Sequence, residues 1–239
     1  MSNVGTVITG LNFKKTYSGT VFYKLTNRDE YHNGLQFKTG LNADIITFNP
    51  KGRCEKGGLY FTEYKKIAMW IRYTITDMYW MRKVNILDDS LIYIEENKFK
   101  ANKFVLEERV CIWSNMDVCI FAVLYDGIFL KEIEKDKQTE SLCKLAVMSY
   151  GPALEYVKEC FKTKDICKLA VKSSGLALEF VPHGHQTEKL CLAAVGSNGI
   201  ALKFVNEKLQ TREMCDIAVN QNKSAVWYVS KKYLSSFNC

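Results

Sequence analysis

The sequence predicts an α+β chain: a mixed α/β N-terminal domain over residues 1–114, followed by a short all-α solenoid of five two-helix repeats over residues 115–239. Three observations carry this. Cys119, Cys143, Cys167, Cys191 and Cys215 stand 24 residues apart with no insertions. An Ala-Val pair follows each of them at the same distance, from Ala122-Val123 to Ala218-Val219. Residues 1–114 show no such period and are rich in aromatics, glycine and short β-type runs instead.

The repeats start near residues 115, 139, 163, 187 and 211. Each opens on a helix-capping side chain, Asn115 or then Thr139, Thr163, Thr187 and Thr211, whose oxygen can accept from an orphan N–H of the first turn. An acid follows in that turn, Asp117, Glu140, Asp165, Glu188 or Glu213, where it complements the helix dipole. Ile166, Cys167, Ala170 and Val171 then form a stripe with helical spacing. Gly127, Gly151, Gly175 and Gly199 recur after this stripe, and Gly175 is expected at the C′ position with φ > 0. A second helix should bury Ala177, Leu178 and Val181. One such unit cannot bury its own apolar face, so neighbours must stack. The last copy replaces glycine with Lys223 and adds Trp227 and a basic tail, as a unit at the open end should.

In the first half, "TVFYKLTN" reads as a strand, Asn33-Gly34 and Gly40 as turns, and "NPKGRCEKGG" as a loop. "LYFT" is a short strand. Thr62 should cap a helix over "EYKKIAMWIRY" with Ile67, Trp70, Ile71 and Thr74 on one face. "YWMRKVNIL" and "SLIYIEEN" are strands parted by a turn. "KFKANKFVLEERVCI" is expected to lead into the repeats and dock on the first.

Bulk properties exclude several classes. No run approaches the ~20 apolar residues of a membrane helix, and the N-terminal stretch is not a signal peptide. Residues 1–114 hold 17 lysines and arginines against 12 acids, and residues 115–239 hold 16 against 14. The basic excess is diffuse, so nucleic acid is not the expected partner. Nine cysteines without a CxxC pair point to a reducing compartment, with the thiols as small packing residues. The expected location is the cytoplasm. His183 and His185 lack further ligands for a metal. "GRCEKGG" lacks the ending of a phosphate loop. Cys54 with His32 would be a nucleophile and base, but a pair so distant in sequence is weak evidence for one.

The pattern TxxxCxxAVxxxGxALxxV resembles the alanine- and leucine-rich repeats of uncharacterised function in giant amoeba-infecting DNA viruses and some bacteria. The block "HNGLQFKTGLN…FNPKGRCEKGGLYFT" resembles the N-terminal region of repeat proteins in mimivirus-type viruses, where ankyrin or other repeats follow. These resemblances imply a helical scaffold and no chemistry. "GGLYFTEYKKIAMWI" with "MRKVNIL" is also similar to the strand and helix of poly-ADP-ribose-polymerase-type ADP-ribosyltransferases. That similarity implies NAD held by His32 and Tyr60, with Trp70 or Tyr73 on the helix and Glu95 or Glu96 as the acid. His32 is followed by Asn33 where that family has glycine.

The expected function is a non-enzymatic protein-interaction scaffold or adaptor of a giant DNA virus, with no cofactor or metal. Its protein partner would meet loop residues between repeats: Lys162, Lys164, His183, His185, Lys208 and Arg212. The alternative is an ADP-ribosyltransferase-like NAD-binding N-terminal domain, with the repeats as a targeting module.

Overall fold

The structure is a computed structural model and describes residues 4–52, 55–71 and 78–237. Cys54, Tyr73 and Thr74 lie outside the described residues. The chain divides into two compact units, Met1–Val118 and Cys119–Cys239, each described by itself below.

The first unit opens with β1 (Val7–Thr9) and α1 (Gly10–Thr16). Thr9 caps α1 by accepting from the Asn12 N–H. Only glycine lets this helix start where it does. A Cβ on Gly10 would lie 1.8 Å from the Leu87 carbonyl oxygen. The helix carries Phe13, fully buried among Phe22, Phe61 and Phe99 at ring separations of 5.0–5.9 Å. Such tilted and edge-on contacts suit the ring quadrupoles.

The strands that follow are β2 (Phe22–Thr26), β3 (Tyr31–His32), β4 (Leu35–Gln36), β5 (Gly40–Ala43), β6 (Leu59–Glu63), β7 (Trp80–Asn85), β8 (Leu91–Ile94), β9 (Phe99–Ala101), β10 (Lys103–Leu106) and β11 (Val110–Cys111). Strands β3 and β4 form a hairpin whose Asn33 and Gly34 both have positive φ, 51° and 88°. That is the turn geometry an Asn-Gly pair favours. Among the described residues the other nine strands form one antiparallel sheet in the order β1-β8-β9-β6-β2-β7-β10-β5, with β11 beside β7.

The stretch 99–106 is expected to lead into the repeats, but instead it closes the sheet. Its first half, β9, pairs with β8 and β6; its second half, β10, pairs with β7 and β5. Because β6, β2 and β7 are also joined in sequence across the sheet, the sheet curls back on one continuous stretch of chain. Its lysines hid this: Phe99 and Ala101 face the core, while Lys98 and Lys100 alternate with them and are buried on the other face. Thr62 does not cap a helix either. It sits in β6, and its hydroxyl donates to the Asn97 carbonyl at 3.2 Å. The segment after it is a 3-10 helix, Tyr64–Trp70, capped at Glu63 without a side-chain bond. Ile67 and Ile71 are buried as expected.

One junction matters for function. Strands β2 and β6 pair only at Phe22–Glu63 and Tyr23–Thr62. Beyond Tyr23, β2 continues against β7 alone, and β6 toward Leu59 continues against β9 alone. The sheet therefore forks.

The repeats carry α2 (Met116–Tyr125), α3 (Glu140–Ser149), α4 (Lys164–Ser173), α5 (Glu188–Ser197) and α6 (Arg212–Gln221). Each is ten residues long. The capping oxygens do what the sequence demands: Asn115 accepts from Val118 N, Thr139 from Leu142 N, Thr163 from Ile166 N, Thr187 from Leu190 N and Thr211 from Met214 N. The cysteine, alanine and valine of each stripe are buried.

The second element of each copy is a 3-10 helix of six residues, such as Gly151–Tyr156 or Gly175–Phe180, and not a second α-helix. Its Ala177 and Leu178 are fully buried. Gly175 is the first residue of that helix, and its φ is not positive. Its glycine answers to the next copy. A Cβ there would lie 2.3 Å from the Ala194 carbonyl oxygen, and Gly127, Gly151 and Gly199 meet Ala146, Ala170 and Ala218 at 2.1, 2.5 and 2.7 Å. The fifth copy carries Lys223 at this position, and the residue is exposed. A short helix, α7 (Lys231–Leu234), follows, while Trp227 stays 83% exposed.

Candidate functional site

A cavity of about 260 Å³ occupies the fork between β2 and β6. Residues 23–27 line one side and residues 60–62 the other, with Glu30, Tyr31, His32, Asn33, Phe37, Trp70, Met78 and Lys98 completing it. His32, Tyr60 and Trp70, singled out from the sequence, thus share one cavity. Glu95 and Glu96 are not among its lining residues.

Glu95 sits behind the wall. Its Oε2 is 3.8 Å from Lys98 Nζ, and its Oε1 is buried without a hydrogen-bond partner among the described residues. Lys98 Nζ lies 4.1 Å from the Tyr60 ring centre and 5.0 Å from that of Trp70, within cation–π range.

The acid that does reach the cavity, Glu30, is already engaged. Its backbone is left-handed (φ 53°) and its side chain is buried. Arg82 donates to its two oxygens at 2.7 and 2.9 Å, and Arg109 adds a bond at 3.1 Å. Burial alone would raise this carboxyl, but the bonds and charges of Arg82 and Arg109 outweigh it and hold the group below the ordinary range. A carboxylate so held stays ionised and structural.

Sequence reasoning missed Lys24. The residue is 7% exposed, and its Nζ stands 4.6 Å from the Phe37 ring centre. Burial, and after it the Lys98 charge, push its ammonium down to about 8. Burial and then the Lys24 charge likewise depress His32. A signal was present: strand alternation sets Lys24 on the face of Phe22, the core face.

The thiol ladder has a different character. Burial pushes Cys143, Cys167 and Cys191 up to about 11, and it also raises Cys215. Thiols so raised are poor nucleophiles and metal ligands. Cys167 Sγ lies 3.9 Å from His185 Nδ1, and the described residues contain no cluster of three metal-ligating side chains. Cys160 is exposed, against the expectation that the cysteines are buried. No helix among the described residues is long and apolar enough to cross a membrane.

The loop residues expected to meet a partner divide. Lys164, His183 and Lys208 are exposed. Lys162 is largely covered and paired with Glu159 at 3.1 Å. Arg212 pairs with Asp216 at 3.0 Å and stacks near Phe237.

Comparison with known proteins finds similarity in the repeats. Residues 139–184 and 187–234 match a family described as a domain of unknown function, DUF4116. A protein of Acanthamoeba polyphaga mimivirus named as an ankyrin repeat protein, R868, is 34% identical over 101 residues, 39% of this chain and 48% of that protein. A second so named, R229, is 30% identical over 126 residues, 46% of this chain and 40% of that protein. An uncharacterised protein of the same virus, R869, is 42% identical over 57 residues, 23% of this chain and 41% of that protein. The chain thus spans less than half the length of each of these relatives. No solved structure matches it significantly. It is similar to giant-virus repeat proteins, but its own 24-residue period is not the 33-residue period of ankyrin units.

Proposed function

We propose that the chain is a non-enzymatic scaffold or adaptor of a giant DNA virus, and that its repeats bind another protein. The repeat positions of fixed identity are spent inward, on caps, helix packing and copy-to-copy contact. The outward positions vary freely, as a recognition surface requires. One observation carries the reading furthest. The outer face of α2 and α3 exposes Leu124, Tyr125, Met148 and Tyr150, at 53%, 64%, 59% and 39%. The positions matching Met148 and Tyr150 in the next copies are Lys172 and Ser174, Gly196 and Asn198, and Asn220 and Asn222. Exposed apolar groups gathered in this way mark interaction sites more often than single ones do. The similarity to mimivirus proteins named for ankyrin repeats supports the same role.

The test is capture from an amoebal lysate by the full chain, by a Leu124→Asp/Met148→Asp variant and by a Lys164→Glu/Lys208→Glu variant. The apolar variant is expected to lose a partner that the full chain retains, and the charge variant to weaken it. Identical captures by all three would refute the reading.

An NAD-binding, ADP-ribosyltransferase-like role for the first unit is supported by His32 and Tyr60 lining one cavity. Against it, the described residues that line the cavity include no uncommitted carboxylate. NAD titration of the chain and of Tyr60→Ala measures it directly.

A further inference from the structure

We propose that the cavity in the β2–β6 fork is a binding site for a small aromatic anion, a flat ring carrying one carboxylate or phosphate group, with the Lys24 ammonium as its charge receptor. The inference is independent of the scaffold role and rests on an unanswered charge.

The other buried ionic side chains of the first unit have partners. Arg82 holds Glu30. Glu63 meets Lys65 and Lys66 at 3.0 and 3.5 Å. Lys98 faces Glu95. Lys100, fully buried, donates to the Asn49 and Lys51 carbonyls at 2.8 and 3.1 Å and so fastens the loop before β6. Lys24 has no hydrogen bond and no ion pair among the described residues; the Phe37 ring is its one recorded contact. Its Nζ opens on the cavity instead, and a charge so largely covered gains from an anion placed there. Its side chain borders both the main cavity and a smaller one beside it, which is lined by His32, Phe37, Asp44 and Tyr60 among others.

The charges that face Lys24 select the sign of the ligand. Lys98 is positive, though Glu95 stands 3.8 Å from it, and His32 adds a donor. Glu30 is neutralised by two arginines. Asp44 is committed to the backbone, accepting from Gly58 N and Ile46 N at 2.5 and 3.0 Å. The site therefore has positive charge in excess and repels a cationic ring. Its walls select the shape: Tyr23, Phe37, Tyr60 and Trp70 offer flat apolar surface for stacking. A few convergent polar groups on apolar walls are the usual make-up of a small-ligand pocket, and a charge-assisted bond to an anion is the strong kind.

The experiment titrates the full chain with phenyl phosphate and, separately, with benzoate, following heat or the fluorescence of its tryptophans. One of the two is expected to bind at millimolar or tighter affinity at pH 7, and which one binds identifies the anionic group. Affinity should fall by at least tenfold in Lys24→Met. It should also fall in the unaltered chain between pH 7 and pH 9.5, as Lys24 loses its proton. Lys24→Met should melt at the same temperature as the unaltered chain or higher, because it removes an unanswered buried charge. The proposal is overturned if neither probe binds, if Lys24→Met keeps full affinity, or if that variant melts several degrees lower.

Discussion

The two units both bury residues that ordinarily stay outside, but they do so by different routes. In the repeats, each unusual position is answered by the next copy of the same sequence. Gly151 clears the Ala170 carbonyl, and Gly175 clears that of Ala194. In the first unit each unusual position has a partner that occurs once. Gly10 clears Leu87, Glu30 takes Arg82, and Lys100 takes the loop at Asn49. Periodicity displays a packing constraint five times over, whereas a singular constraint is written once and looks like noise. The singular unit is accordingly where chemistry has room to hide, and Lys24 is its one buried lysine without a hydrogen bond or ion pair among the described residues.

The sharpest test of the singular unit is Glu30→Ala. It strands the buried guanidinium of Arg82, and breaking such a pair from one side costs about 3–5 kcal/mol. Urea unfolding of the variant should show a loss of that size. A loss no larger than an exposed ion pair gives, about 1 kcal/mol or less, would mean that Glu30 is not an anchor and is available to the cavity. The pH dependence has a defined sign. Glu30 is held below its unfolded value, so its contribution is present above the ordinary carboxylate range and is lost as the pH falls through its lower folded value.

How much could be read in advance follows the same division. The period, the threonine caps and the Cys-Ala-Val stripe are visible because helix capping and burial demand particular side chains at particular spacings. The role of Gly175 is not, because glycine serves both a left-handed turn and a close approach, and only the neighbouring copy distinguishes them. In the first unit β2, β6, β7 and β8 are legible from their apolar runs. Helix α1 is not, since its start depends on Gly10 meeting a turn some eighty residues away. Strands β9 and β10 are hidden by the lysines that alternate with their core residues Phe99, Ala101, Phe104 and Leu106. At the cavity, His32, Tyr60 and Trp70 come from resemblance. Lys24 is lost because a single lysine in a strand reads as solvent-facing.

The repeats allow a controlled test within one molecule. Gly175→Ala forces a Cβ against a backbone oxygen that no rotamer change can move, so the copies must part. Overpacking of this kind costs about 2–3 kcal/mol. Lys223→Ala occupies the equivalent position in the fifth copy, where the side chain is exposed, so it should stay within about 0.5 kcal/mol of the parent. Thermal or urea unfolding of the pair measures the contrast. Equal effects would mean that the glycine is held by its own conformation and not by stacking.

A smaller effect, but the most specific, concerns a glutamine that the 24-residue alignment leaves unexplained. Gln138, Gln186 and Gln210 are buried at the same position of three copies. Each amide donates to a carbonyl eighteen residues on, at Tyr156, Phe204 and Tyr228, and accepts from an N–H twenty residues on, at Lys158, Asn206 and Ser230. The amide thus satisfies the end of the following 3-10 helix. Of the two remaining copies the first has Ser114 and the third Lys162, and twenty residues beyond Lys162 stands Pro182, which has no N–H to give. The substitution is therefore matched across copies: where the donor is absent, the acceptor is absent too. Gln210→Ala should cost about 2 kcal/mol, since it leaves a buried donor and a carbonyl unpaired. Lys162→Gln should bring little by itself, because one of its two bonds has no partner. Combined with Pro182→Ala it should become favourable relative to Pro182→Ala alone, by about 1 kcal/mol. A double-mutant cycle on residues 162 and 182, followed by urea unfolding, reads that coupling, and strict additivity would show that glutamine at this position is chosen for its bulk and not for its two bonds.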